Sequence, residues 1–303
     1  MIKNALDLTG APQGLDKDHI LMYMFLTRFE GSTRQSYSIY IKSFYEWSCA
    51  YGISITEAKR VHLQFFVEQL RKEKSSYTVH KTVGVLRSFY SLLEADDIVI
   101  KNPVAHLSLP KLDKENIKRP HLNRTQFCDL LEYAKSRSVR DELIVLLLGI
   151  MGLRVTEMCN LNVSDTECYI DGYRLLEFTG KGEKKASLPI PVMVGRVLEK
   201  HLEESLEDGP LILNKFGNRF NRSGVSQLVK RMTLEAGVPS VTSHALRRSM
   251  VTNSLNAGAD IREVQKAARH SDIRTTSRIY DQGTTSHDSS SLNVLAGFIS
   301  GAI

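Results

Sequence analysis

Six residues of this 303-residue chain have side chains suited to handling a phosphate: Arg154, Lys181, His244, Arg247, His270 and Tyr280. Arginine offers a planar fork of donors that matches two phosphate oxygens and remains charged. Tyrosine is an oxygen nucleophile, but with a pKa near 10 only about 0.1% is phenolate at pH 7. It needs neighbouring cations or a base before it can attack. Two arginines, two histidines, a lysine and a tyrosine together suit metal-free phosphoryl transfer. No Asp/Glu cluster suggests magnesium and no G-x-x-x-x-G-K-[ST] loop is present, which disfavours an ATP-driven enzyme or a two-metal nuclease. The expectation is no cofactor and no metal.

The motifs are weak one at a time. With nine histidines and arginine at roughly one position in sixteen, about 0.5 chance H-x-x-R matches are expected. There are two, His244–Arg247 and His121–Arg124, and the second follows Pro120 in a linker-like stretch and reads as noise. A helix would place His244 and Arg247 on one face, with Leu246, Met250, Val251 and Leu255 on a core side. Arg154 follows an apolar run at a glycine break, so it is either aimed from a rigid base or an ordinary arginine at a helix start. Glu157, one turn on, could hold it as an i, i+3 partner. Lys181 lies between Gly180 and Gly182, either a solvent-facing turn lysine or a mobile cation delivered to a ligand.

The elements that must position these residues are mostly helical. Asp16 to Phe29 reads as a short helix ending near Gly31, and Ser32 or Thr33 caps the next, which continues to Tyr51 with Gly52 as its stop. Tyr37, Tyr40, Ile41, Phe44 and Trp47 form its buried stripe. A third helix near Val61–Lys74 carries Leu63, Phe66, Val67 and Leu70. A fourth follows Ser75–Ser76 with Val79, Val83, Leu86, Tyr90 and Leu93 in a core stripe. His80, Lys81, Gly84, Arg87 and Ser88 lie off that stripe, a face that could grip DNA or simply be solvated.

Residues 1 to about 15 read as a loose leader, and residues 1–100 as a small all-helical domain. Pro103, Pro110 and Pro120, with Lys111, Lys118 and Arg119, mark an extended, positively charged linker over 101–120. The second domain, 121–284, opens with a helix capped near Asn123 or Thr125. A buried helix through Leu143–Ile150 is interrupted at Gly152-Leu153-Arg154 and resumes through Glu157. Two short strands, Arg174–Thr179 and Lys185–Ile190, flank the turn that holds Lys181. Further helices are expected around Val192–Leu206, Ser223–Gly237, His244–Asn256 and Ile261–Ala268, with a last one reaching Tyr280. The tail, 285–303, turns apolar at Leu292, Val294, Leu295, Phe298 and Ile299. It either folds back on its own domain or docks into a neighbouring subunit.

Composition sets the partners. Hydrophobic content of 42% and charged content of 24% belong to an ordinary globular protein, and a formal charge of +6 favours a polyanionic partner. Four widely spaced cysteines with no C-x-x-C argue against a disulfide framework or structural metal. The start lacks an apolar signal core, and the longest apolar run, Leu143–Leu153, is too short to span a bilayer. An intracellular soluble protein, in the cytoplasm, is expected.

In order along the chain, GLRVTEM, TGKGEKKASLPIP, SHALRRSMVTNSLNAGADIREVQ and RHSDIRTTSRIY resemble the tyrosine recombinases, also called phage integrases. The T-x-x-x-Y helix (Thr33 to Tyr37) and the Asn102-Pro103 linker fit as well. The resemblance covers nearly the whole chain. It implies a mainly α fold: an N-terminal helical, SAM-like core-binding domain and a mostly helical catalytic domain with a small antiparallel β-sheet, closing as a C-shaped clamp on double-stranded DNA. It implies a homo-tetramer on two duplexes, with the C-terminal tail docked between subunits.

By the same resemblance, Arg154 and Arg247 bind the non-bridging oxygens of the scissile phosphate. Lys181 protonates the leaving 5′ oxygen, His244 assists proton transfer, His270 hydrogen-bonds the phosphate, and Tyr280 attacks to form a 3′-phosphotyrosine. His80, Lys81 and Arg87, with Lys111, Lys118 and Arg119 of the linker, are the expected DNA contacts. Two features depart from the family pattern. Arg269 stands where glycine usually precedes the second histidine, and His270 to Tyr280 is ten residues rather than the usual nine. One extra helical residue turns a side chain by about 100°. A non-catalytic DNA-binding relative of the same fold, or a type IB topoisomerase-like relaxing enzyme, are the competing readings.

Overall fold

The computed structural model describes residues 16–112, 120–180, 185–204 and 209–281, without the side chains of Glu204, Arg278, Tyr280 and Asp281. The leader, Lys118, Arg119, Lys181 and the apolar tail lie outside the described residues. The chain divides into two compact units, Met1–Ile117 and Lys118–Ile303.

The first unit packs four helices: α1 (Lys17–Thr27), α2 (Gly31–Ala50), α3 (Arg60–Glu73) and α4 (Ser76–Ala95). Asp16 caps α1 by accepting from the His19 N–H, and Ser75 caps α4 through the Thr78 N–H. The expected stripes meet in one core rich in aromatic rings, where Phe25, Phe44, Phe66, Phe89 and Tyr90 are buried. Phe44 meets Phe66 edge-on at 5.2 Å and Phe25 meets Phe89 at 5.3 Å, the offset geometry that ring quadrupoles favour. The buried Tyr90 hydroxyl finds its acceptor in the Ile55 carbonyl at 2.9 Å.

Two local expectations change. The start of α2 needs neither Ser32 nor Thr33 as a cap: the Arg34 N–H already bonds the Glu30 carbonyl at 3.3 Å, so both residues lie inside the first turn. The linker is not extended from residue 101. Val104 is fully buried in the first unit's core, and Leu107 and Leu109 pack on it. Asn102 donates to the Arg87 carbonyl and the Ser91 hydroxyl and accepts from the Val104 N–H. Gln64 bonds both the N–H and the carbonyl of Ser108. Proline removes backbone donors here, and side chains of α3 and α4 supply the partners that a regular element would have supplied.

The second unit holds α5 (Arg124–Arg137), α6 (Val139–Gly149), α7 (Val155–Asn160), β1 (Cys168–Ile170), β2 (Tyr173–Thr179), β3 (Lys185–Pro189), α8 (Val192–Glu204), α9 (Arg222–Glu235), α10 (Ser243–Asn256), α11 (Ile261–Ala268) and α12 (Ile273–Asp281). Asn123 caps α5 in a reciprocal box with Gln126. From Leu143 to Gly149 every residue of α6 is buried, so this helix is the pillar of the unit. The sheet is antiparallel in the order β1-β2-β3, with Leu176 opposite Leu188 and Cys168 opposite Leu175. The expected pair was β2 and β3. The added β1 is three residues long and mostly exposed, too short to carry an alternating pattern. Among the described residues no helix is long and apolar enough to cross a membrane.

Candidate active site

Two rigid pieces of the second unit bring the cluster together. The first is the break after α6. Gly152 has φ +61° and a Cβ there would collide with the Met250 methyl, so the turn requires glycine for both its conformation and its space. Leu153 is buried and anchors the next residue, Arg154, at the N-terminus of α7. The second piece is α10. Its Ser249 hydroxyl accepts the Leu122 N–H at 2.7 Å, and Asn253 donates to the Leu122 carbonyl, which ties the helix to the start of the unit.

Glu157 is the centre of the arrangement. Only 3% exposed, its carboxylate accepts from Arg154 Nη1 at 2.5 Å and from the Arg154 backbone N–H at 2.7 Å. The expected i, i+3 partnership is therefore present. Its position in the first turn of α7 also suits the positive end of the helix dipole. A second guanidinium completes the carboxylate: Arg269 Nη2 donates to Glu157 Oε2 at 2.7 Å.

Arg247 is buried, 3% exposed, and donates to the backbone carbonyls of Gly152 and Ala268. Burial, followed by repulsion from Arg154 and Arg269, lowers its pKa to about 9, with Glu157 opposing. It still carries its proton at neutral pH. The energetic content is that a cation is kept out of water by fixed carbonyl dipoles and one shared carboxylate. His244, one turn earlier, is on the exposed face of α10.

His270 lies in the turn between α11 and α12. Its Nδ1 lies 3.0 Å from the hydroxyl of Thr276, which is fully buried. Burial first, and then Arg247, Arg154, His244 and Arg269, push its pKa down to about 4, so the imidazole is neutral at pH 7. A Thr276 hydroxyl that donates to Nδ1 would leave the ring proton on Nε2.

The structure thus gathers Arg154, Arg247 and His270, with Glu157 bridging Arg154 and Arg269. Tyr280 lies in α12 and its side chain is outside the described part; Lys181 is outside the described residues altogether. Arg269 was singled out only as a departure from a pattern, and its place in the cluster was missed. The available signal was a charged residue one step before a site histidine, where a helix has to stop. Thr276 was missed as well, since a buried threonine on a short helix carries no sequence mark.

The expected DNA contacts separate. Lys81 and Arg87 are exposed on α4, and the Lys81 ammonium lies 5.6 Å from the Tyr77 ring centroid. Lys111 is exposed. His80 is half-buried and its Nε2 bonds the Pro110 carbonyl at 2.7 Å, so the ring ties down the connecting segment. Among the described residues no group of three or more His, Cys, Asp or Glu could hold a metal ion.

This fold recurs in solved structures. A lambda integrase dimer bound to a COC′ core site superposes with a TM-score of 0.73, covering 89% of this chain and 79% of that one at 18% identity. The XerH site-specific recombinase on a palindromic difH substrate gives 0.71, covering 96% and 92% at 19% identity. In sequence, residues 120–287 match the model of the phage integrase family. Tyrosine recombinase XerD of Oceanobacillus iheyensis is 33% identical over 230 residues, 72% of this chain and 75% of the relative. Tyrosine recombinase XerA of Thermococcus kodakarensis is 32% identical over 273 residues, 88% and 89% respectively. The fold class is therefore that of the DNA recombinases. The chain belongs to the phage integrase family, and it is a tyrosine-type, site-specific DNA recombinase.

Proposed function

We propose that this recombinase cleaves and rejoins DNA through a covalent 3′-phosphotyrosine on Tyr280, with no metal and no ATP. The observation that carries the reading is that Arg154, Arg247 and neutral His270 lie close enough to act on one another electrostatically, with Arg154 held on the buried Glu157 carboxylate. The Tyr280 oxygen attacks phosphorus while its proton leaves with the help of His244. The P–O5′ bond breaks, and Lys181 supplies a proton to the departing oxygen. Arg154 and Arg247 bind the two non-bridging oxygens, whose negative charge grows in the phosphorane. His270 donates to one of them from Nε2. Cations that are already ordered lose little on reaching that transition state, and such preorganisation accounts for several kcal/mol in comparable sites. The tyrosyl ester conserves the energy of the broken bond, and the reverse attack by a 5′ hydroxyl closes the strand.

The helical first unit serves as the core-binding domain, with Lys81, Arg87 and Lys111 on the phosphate backbone. Lys118 and Arg119, further along the chain, are the other proposed backbone contacts. Relatives in the solved structures include a lambda integrase tetramer bound to a Holliday junction. By analogy this chain works as a homo-tetramer on two duplexes, with residues 285–303 docked between subunits in the cytoplasm, at the nucleoid.

The deciding experiment is a suicide substrate: duplexes from a plasmid recombination assay, nicked near the sequenced junction so that cleavage becomes irreversible. Wild type should form a denaturation-resistant protein–DNA adduct, and Tyr280→Phe none. No adduct with wild type sinks the covalent reading, and an adduct with Tyr280→Phe sinks the choice of tyrosine. Deleting residues 290–303 should weaken higher-order complexes in mobility shifts and leave single-site binding largely intact. Unchanged higher-order complexes would remove the tail from the interface.

A further inference from the structure

Arg269 has a left-handed backbone, φ 52° and ψ 43°, in the C-terminal cap of α11. Glycine takes that conformation without strain, and most other residues do not. A side chain that persists there is held by what it touches. Its contacts reach three separate pieces. Nη2 donates to Glu157 Oε2 at 2.7 Å, and lies 3.4 Å from the Gly152 carbonyl in the turn that delivers Arg154. The guanidinium lies 4.7 Å from the ring centroid of Phe178, in the strand that leads towards Lys181. The backbone N–H of Arg269 bonds the Gln265 and Lys266 carbonyls, and the next residue is His270. The Gly152 carbonyl also receives Arg247, whose other bond goes to Ala268.

We infer that Arg269 is a positioning residue: a strut that holds the His270 turn, the Arg154 loop and strand β2 in register, and shares the Glu157 charge with Arg154. Without it, the Arg154 guanidinium alone would neutralise Glu157, and less of its charge would face a phosphate. With it, the carboxylate is divided between two cations, and Arg154 is both oriented and left with charge to offer. Glycine at this position would relax the backbone, keep its N–H bonds and make none of the side-chain contacts. The activity part of the inference rests on the covalent reading proposed above.

The test uses full-length protein and the same nicked duplex, in single-turnover cleavage at saturating protein. Arg269→Gly should slow cleavage by roughly 10- to 100-fold, the scale of a misplaced site group. Affinity for the duplex should stay within about 3-fold, because the loss belongs to the reacting state. Arg269→Lys keeps the charge without the fork and should fall between the two. Millimolar guanidinium should partly restore Arg269→Gly. Glu157→Gln combined with Arg269→Gly should be little slower than Glu157→Gln alone, since both act through one carboxylate.

Cleavage by Arg269→Gly within about 2-fold of wild type overturns the strut, as do fully additive effects with Glu157→Gln or a loss seen equally in affinity. If wild type forms no adduct, the covalent reading fails separately. The strut is then read from urea unfolding of wild type, Arg269→Gly, Glu157→Gln and the double variant, where coupling between Arg269 and Glu157 supports it and zero coupling overturns it.

Discussion

The arginine cluster of the second unit and the basic face of α4 in the first use the same kind of charge in opposite settings. Arg247 is buried against carbonyls, and Arg269, 15% exposed, shares Glu157 with Arg154. Lys81 and Arg87 stand in solvent on α4, beside the exposed Gly84. A buried cation has already lost its water and its freedom, so it can stabilise charge that appears at one point. An exposed cation keeps both and attracts a polyanion over a distance set by salt. The first arrangement suits a reacting phosphate, the second a duplex held by many phosphates.

Four experiments break or sharpen that contrast. Arg247→Ala has the largest expected effect. Cleavage of the nicked duplex should fall by about a thousandfold, the upper range for removing one preorganised donor, while gel-shift affinity changes far less. Equal losses in both would place Arg247 with the binding cations. Glu157→Gln comes next. Two guanidiniums would then face each other with one neutral oxygen between them, and urea unfolding should show about 3 kcal/mol of lost stability. A loss below about 0.5 kcal/mol would mean that the pair behaves as a surface contact.

The third concerns pH. Burial and the surrounding cations hold His270 down to about 4 in the folded chain, whereas an unperturbed imidazole titrates near 6.5. Between these values the unfolded chain binds more protons than the folded one. Stability is therefore present above pH 6.5 and lost as pH falls towards 4. Allowing for partial exposure, the loss should be about 1–2 kcal/mol. His270→Asn should flatten that part of the curve, and an unchanged slope would remove the buried imidazole as its cause. The smallest effect belongs to α4. Lys81→Ala and Arg87→Ala should each lower the salt slope of DNA binding by about 0.9, with cleavage at saturating protein unchanged. An unaltered slope would return that face to plain solvation.

Much of the fold was legible. The stripes of α3 and α4 and the all-round apolar run of α6 state their burial directly, because periodicity reports which face leaves water. Gly152 and Asn123 mark their turn and cap by the same local logic. The linker misled because Val104, Leu107 and Leu109 are too few and irregular to show a period. Their burial depends on bonds from Gln64 and His80, in helices earlier in the chain, and on Asn102 reaching back to the Arg87 carbonyl of α4. Glu157 was found as a partner of Arg154 since three residues separate them. Its second partner, Arg269, is 112 positions away.

Residue types and order along the chain were enough to nominate a candidate phosphate-handling set and to place most of the helices, since both are local properties of the polypeptide. Which arginines lose their water, and which imidazole is kept neutral, came from the packed second unit alone. Desolvation and shared carboxylates are set by what lies around a side chain in space, and the neighbours of Glu157 and His270 come from segments more than a hundred residues apart.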